Sequence, residues 1–188
     1  TISGTTISFG SEYVFNSDLV IFVSISFDPN TAGKFVVAYR DSSNSNYGTA
    51  IVGTVSGTTV SFGSEYVFNP QSTGNISLSF DPNSTGKFVV VYSDSGNGSY
   101  GTAIVGTVSG TSISFGFEYV FNSGNTYYTS MSFDPNNVGK FVVAYRDVGN
   151  SNYGTAIAGT VYSTSTNLTA TNFVGIPDGA YLTAETAT

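Results

Sequence analysis

The chain has 188 residues, only 9% of them charged, and a formal net charge of -7. So few cations exclude the clustered Lys and Arg that neutralise nucleic-acid phosphates, and they argue equally against an anionic membrane surface. There is neither cysteine nor histidine, which removes disulfides, thiol chemistry, Cys- or His-based metal sites and every Ser-His-Asp or Cys-His arrangement.

The chain opens inside a pattern that returns every 53 residues without insertion or deletion. Ser8-Phe9-Gly10 recurs at Ser61 and Ser114, Ser26-Phe27-Asp28-Pro29-Asn30 at Ser79 and Ser132, and Tyr47-Gly48-Thr49-Ala50-Ile51 at Tyr100 and Tyr153. A fixed period of this size marks a stacked or radial repeat architecture. The middle repeat shows the unit most plainly. A short first strand, Ile76 to Asp81, ends in Asp-Pro-Asn with a Gly-Lys pair beyond, residue types that make a turn. The second strand, Lys87 to Asp94, is apolar on both faces near its start (Phe88, Val90 and Tyr92 against Val89 and Val91), which predicts burial on both sides. A polar loop leads to a third strand, Tyr100 to Val108, whose small Ala103 and Gly106 would admit a neighbouring sheet. Ser109-Gly110 makes a hairpin turn. The fourth strand, about Thr111 to Asn122, alternates Ile113, Phe115, Phe117, Tyr119 and Phe121 with Ser114, Gly116, Glu118 and Val120, the pattern of a half-exposed outer strand.

Four antiparallel strands per repeat predict an all-β, β-propeller-like fold, with a linear β-repeat stack or fibre as the competing architecture. Residues 1–162 form the repeat domain. The chain starts with a fourth-strand sequence (Thr5 to Phe15) and completes its repeats with strands one to three (Met131 to Tyr162), so these pieces are expected to share one blade and close the ring. Closure within one chain gives only three blades, below the usual four to eight. Further blades in a longer parent chain, or self-association into a larger ring, are therefore expected. Residues 163–188 leave the repeat and read as a linker and the start of a further module.

Nine of the twelve acidic residues fall into three equivalent sets, headed by Glu12, Asp28 and Asp41. A catalytic acid–base pair needs two carboxylates in unlike environments, so residues copied once per repeat read as structural: Asp28, Asp81 and Asp134 as turn residues, and the Glu series as a solvated outer face. The loops Asp41-x-x-Asn44-x-Asn46, Asp94-x-x-Asn97 and Asp147-x-x-Asn150-x-Asn152 offer oxygens to calcium, but one carboxylate per loop is thin for six to eight ligands; Asx-turn hydrogen bonding is the better reading. A propeller glycosidase of the sialidase type would need three clustered arginines, and the repeats supply Arg40 and Arg146 with Ser93 between them. No enzyme, cofactor or metal is expected.

The connection from the fourth strand to the next first strand varies most between repeats (Ser17 to Phe22, Pro70 to Asn75, Ser123 to Tyr128), and the loop between strands two and three varies next. Both should lie on one face. Candidate ligand-binding residues in the first connection type are Asp18, Gln71, Asn75, Asn125, Tyr127 and Tyr128. Those in the second are Asn44, Asn46, Asn97, Asn150 and Asn152. Asn offers polar contacts and Tyr a stacking platform for sugars.

The unit Gly33-Lys34-Phe35-Val36-Val37-Ala38-Tyr39-Arg40-Asp41, followed by Ser45-Asn46-Tyr47-Gly48-Thr49-Ala50-Ile51-Val52-Gly53-Thr54-Val55-Ser56-Gly57, resembles repeats in structural proteins of marine bacteriophages, including cyanophages. The stretch from Thr166-Asn167-Leu168-Thr169 to Gly179-Ala180-Tyr181 is similar to a segment that follows such repeats. The resemblance implies a virion or extracellular surface role, such as a tail fibre or adhesin, and brings no catalytic residues with it. The expected function is a non-enzymatic module that contacts a host-surface glycan or protein through its variable loops, with a structural spacer or filament former as the alternative. Neither nucleic-acid binding nor membrane insertion is expected.

Overall fold

The computed structural model describes residues 4–5 and 7–162; the linker and further module expected over 163–188 lie outside them. Nine strands follow one another in a single antiparallel order: β1 (Val20–Phe27), β2 (Lys34–Asp41), β3 (Tyr47–Ser56), β4 (Thr59–Phe80), β5 (Lys87–Asp94), β6 (Tyr100–Ser109), β7 (Ser112–Phe133), β8 (Lys140–Asp147) and β9 (Tyr153–Thr160). The fold is all-β apart from a 3-10 turn at Ser95–Asn97. The long strands β4 and β7 each serve two sheets. Residues 59–72 of β4 pair with β3, and residues 73–80 pair with β5; β7 divides in the same way between β6 and β8. The result is three successive blades. The first is β1, β2, β3 and the first part of β4. The second is the rest of β4, β5, β6 and the first part of β7. The third is the rest of β7, β8 and β9.

The doubly apolar second strand is buried as its pattern predicts. Phe88, Val89, Val90, Val91 and Tyr92 of β5 are all at most 1% exposed. Phe88, Val90 and Tyr92 face back into a core shared with Val36, Ala38, Ala50 and Val52 of the first blade, whereas Val89 and Val91 face forward to Met131, Phe133 and Val143 of the third. Every blade thus presents one face to its predecessor and the other to its successor.

Gly106 does something different from admitting a neighbouring sheet. It pairs with Phe88 across the ladder, and a Cβ built on it would lie 2.2 Å from the Phe88 ring. The ring folds over its own cross-strand partner, as Phe35 does over Gly53 and Phe141 over Gly159. The turns follow the sequence reading. Asp28, Asp81 and Asp134 each accept the backbone N–H two residues on at 2.9 Å, and Gly33, Gly86 and Gly139 take the left-handed conformation (φ 69 to 72°).

Two expectations need correction. The fourth strand does not alternate throughout: the pairing slips between Ile104 and Gly106, so Phe115 packs back against the first-blade core, Tyr119 and Phe121 line the groove toward the third blade, and Phe117 between them is left 83% exposed. Nor do the two ends of one chain share a blade. Residues 7–14 form no strand, and Phe15 packs on Tyr39 and Phe62 (ring centroids 5.1 and 5.9 Å), where a fourth strand of a preceding blade would lie. Among the described residues β1 and β9 are the sheet edges.

Gly106→Ala should destabilise the protein by about 1–3 kcal/mol, because the Phe88 ring has no room to move. Gly116→Ala, where the nearest neighbour is 3.8 Å away, should change stability by no more than about 0.5 kcal/mol. Urea unfolding of both variants checks this.

Candidate functional site

The crossovers from blade to blade are held by a repeated set of side chains. Asn69, fully buried where β4 leaves the first blade, donates from Nδ2 to Thr73 Oγ1 (3.0 Å) and to Asp94 Oδ1 (3.1 Å). Asn122 donates to Thr126 Oγ1 at 3.0 Å one blade later, and Asn16 donates to Glu65 Oε1 at 2.9 Å one blade earlier. Two of the three loop carboxylates are absorbed by the same bonding, while Asp147 Oδ1 is buried without a hydrogen-bond partner among the described residues. Asp41 Oδ1 accepts from Ser43 N, Ser43 Oγ and Asn44 N (3.0, 2.7 and 3.1 Å), and Asp94 Oδ1 accepts from Gly96 N (2.9 Å). Burial pushes the Asp41 carboxyl up, but the bonds from Ser43 and Asn44 outweigh it and hold the group below the usual carboxylate range. These are Asx turns. Among the described residues no group of three or more acidic side chains converges in a way that would hold a metal.

The glutamates are not simply solvated. Glu65 and Glu118 stand on the exposed side of the fourth strand, yet each turns one carboxylate oxygen inward. Glu65 Oε1 accepts from the Tyr39 hydroxyl at 2.5 Å and Glu118 Oε1 from the Tyr92 hydroxyl at 2.6 Å. The bond satisfies a buried phenol. A period-two pattern cannot show it, because the contact bridges β2 to β4 across the intervening β3.

A second repeated feature lies just beyond the crossover. The pairing of each first strand slips once, between Ile21 and Ser24, Gly74 and Ser77, and Tyr127 and Ser130. At the slip Phe22, Asn75 and Tyr128 adopt φ of 56°, 50° and 55°. Asn tolerates the left-handed region; Phe and Tyr pay for it. The bulges touch one another. Tyr128 N donates to Asn75 Oδ1 (2.9 Å), and the Thr129 hydroxyl donates to the Asn75 carbonyl. Behind the row stand the two arginines. The Arg40 guanidinium lies 5.1 Å from the Phe22 ring centre, and that of Arg146 lies 4.8 and 4.9 Å from the rings of Tyr127 and Tyr128. Each is a cation–π contact. Both arginine Nε atoms are buried without a hydrogen-bond partner among the described residues. Tyr128 is 72% exposed and Phe22 42%. The arrangement is a polar and aromatic rim that can stack planar or sugar faces and donate hydrogen bonds from guanidinium.

The structure gathers the sequence-predicted residues at one end of the sheets but changes their setting. The variable connection is strand rather than loop: Gln71 and Asn75 belong to β4, and Asn125, Tyr127 and Tyr128 to β7. Only Asp18 precedes a strand. Asn44 and Asn46 lie between β2 and β3, Asn97 in the 3-10 turn, and Asn150 and Asn152 between β8 and β9. Backbone bonds join the two sets. Thr73 N donates to Asn46 O, Thr126 N to Ser99 O, and Val148 N to Asn125 O (3.0 to 3.1 Å); the Ser43 hydroxyl reaches Asp18 Oδ2 at 3.0 Å. Tyr127, Tyr128 and Asn75 join the bulge rim, and the other eight do not. Phe22, Arg40 and Arg146 were missed as rim residues. The available signal was three unlike residues, Phe22, Asn75 and Tyr128, at identical repeat phase.

No protein-family model matches the chain, and no curated protein matches it. Among solved structures the fold is similar to the β-propeller of the NanB sialidase from Streptococcus pneumoniae. A point mutant of that enzyme matches with TM-score 0.52 at 16% identity over 80% of this chain. The enzyme in complex with a chlorobenzylammonio-ethanesulfonate matches with TM-score 0.56 at 15% identity, again over 80% of this chain. The chain spans only about a quarter of each sialidase chain (24% and 25%). At this identity the likeness shows the fold, a propeller-like β-repeat, and not the chemistry.

The buried phenols make a pH test. Burial, and then the bonds to Glu118 and Glu65, push the hydroxyls of Tyr92 and Tyr39 well above their ordinary value of 10. A pKa raised on folding contributes stability that is complete below pH 10 and lost as pH rises beyond it. Tyrosinate absorbance should therefore show these two groups ionising only together with unfolding. Tyr92→Phe should cost about 1 kcal/mol at neutral pH and flatten the alkaline fall.

Proposed function

We propose that the chain is a non-enzymatic surface module, of phage fibre or adhesin type, that binds a glycan or protein of a host surface through its rim. The observation that carries this reading is the exposed Tyr128, held in a left-handed backbone beside Asn75, with the half-buried Tyr127 sharing the Arg146 guanidinium. An aromatic face next to a fixed cation and an amide suits a polar ligand with an apolar ring face. Strained conformations and bulges concentrate where a side chain is aimed at a partner. The virion or extracellular setting is part of the proposal and rests on the resemblance read from the repeat sequence. The non-enzymatic reading is supported by the lack of histidine, by the engagement of Asp41 and Asp94 in turns and of Glu65 and Glu118 in phenol bonds, and by arginines stacked on aromatic rings with Ser93 in the third place.

Glycan-array binding followed by calorimetry on the best ligand tests it. Tyr128→Asn installs the residue of the middle repeat, keeps the left-handed backbone, and should weaken binding about tenfold or more, the scale of one lost stacking contact. Absence of any glycan or host-surface binding, or equal affinity in the variant, would sink the proposal. So would turnover of a fluorogenic sialoside.

A further inference from the structure

The two ends of the three-blade array are complementary, and we infer that a second copy of this chain closes them into a ring by exchanging N-terminal arms. Among the described residues the third blade has three strands, and an apolar groove of about 420 Å³ lies open between it and the second blade, lined among others by Val89, Phe121, Phe141 and Ile157. At the preceding junction Ile113 and Phe115 of β7 occupy the equivalent place: Ile113 is buried there, and Phe115 packs against the same core. The arm carries the same residues at the same phase. Ile7 and Phe9 are 76% and 93% exposed, while Phe15 already holds the arm against the first blade. The arm therefore sits where a fourth strand belongs, and among the described residues nothing pairs with its edge or with the outer edge of β9.

The register follows from β6 and β7, where Thr102 pairs with Val120, Ile104 with Glu118 and Gly106 with Phe115. Moved by one repeat, Thr155 pairs with Val14, Ile157 with Glu12 and Gly159 with Phe9 of the other copy. Glu12 then meets the Tyr145 hydroxyl, as Glu65 meets Tyr39 and Glu118 meets Tyr92. The chain's own continuation places Thr171 at the glutamate position and Thr166 at that of Ile113, so the arm is the better fit.

The inner rims match as well. Leu78 N and Phe80 N donate to the hydroxyls of Ser24 and Ser26 in the preceding blade, and Met131 N donates to Ser77. Asn30 and Asn83 each donate to the carbonyl of the next blade's turn proline. The last blade offers Ser130, Ser132 and Asn136 in these places. The first offers Ile25 N, Phe27 N and the Pro29 carbonyl. Val23, Ile25 and Phe27 are half exposed on the first blade, whereas their counterparts Ile76, Leu78 and Phe80 are buried. Head-to-tail contacts close when the rotation allows, and two chains make six blades, the one multiple of three within the four to eight of known propellers.

These 188 residues hold no cysteine, so Val14→Cys with Thr155→Cys introduces one reporting pair. Mild oxidation should give a reductant-reversible covalent dimer, and native mass spectrometry of the unmodified chain should give twice 19.6 kDa. Phe9→Asp, at a site exposed in the single chain, should keep the strand signal in circular dichroism and shift the mass to one copy. A disulfide within one chain, a one-copy mass for the unmodified protein, a ladder of longer multimers, or a Phe9→Asp protein that stays dimeric would each overturn the inference.

Discussion

A strand apolar on both faces must be covered from both sides, and the rest of this molecule is arranged around that demand. Burying a side chain such as Phe88 or Val90 contributes roughly 1.5–3 kcal/mol, and β5 buries five in succession. One sheet cannot supply two covering layers from its own residues. Each blade therefore leans on a predecessor and a successor. The Phe88 ring folds onto Gly106, and the fourth strand of one blade contributes Phe68 to Tyr92 of the next (5.1 Å). The same demand leaves the outer blades each with one uncovered face.

Polar accounting follows the apolar one. Buried donors need acceptors, and the fold finds them both within a blade and across blades. Tyr92 uses Glu118, Asn69 uses Asp94, and the N–H groups on the inner rim use serine hydroxyls from the blade before. These bonds recur at the same repeat phase, which is why the acidic residues also recur. Residues that look like a catalytic or calcium-binding inventory in one dimension serve as braces in three. What escapes the bracing is the row of bulges, where Phe22, Asn75 and Tyr128 differ between repeats although the backbone is the same. Variation at constant geometry is what separates the rim from the scaffold.

Much of the scaffold was legible because its causes are local. Asp-Pro-Asn followed by Gly-Lys sets a turn, Ser-Gly sets a hairpin, and the Lys87 to Asp94 pattern declares its double burial. The site was legible only in part. Tyr127, Tyr128 and Asn75 stood out by composition and variability, but the connection holding them read as loop because Pro70, Gly74 and Gly124 are turn formers. Pairing with β3 and β5, or with β6 and β8, overrides that preference and draws the segment into strand.

By itself, the sequence determined the repeat, the all-β unit, the turns and the doubly buried strand, since each depends on residues within a few positions of one another. Tertiary structure alone decided the fate of the glutamates, the continuity of β4 and β7, the bulge that turns Phe117 outward, and the place of the arm against the first blade. Those features depend on which strands lie side by side and where a pairing slips by one residue. A slip of that size reverses every side chain beyond it, and no one-dimensional period records it.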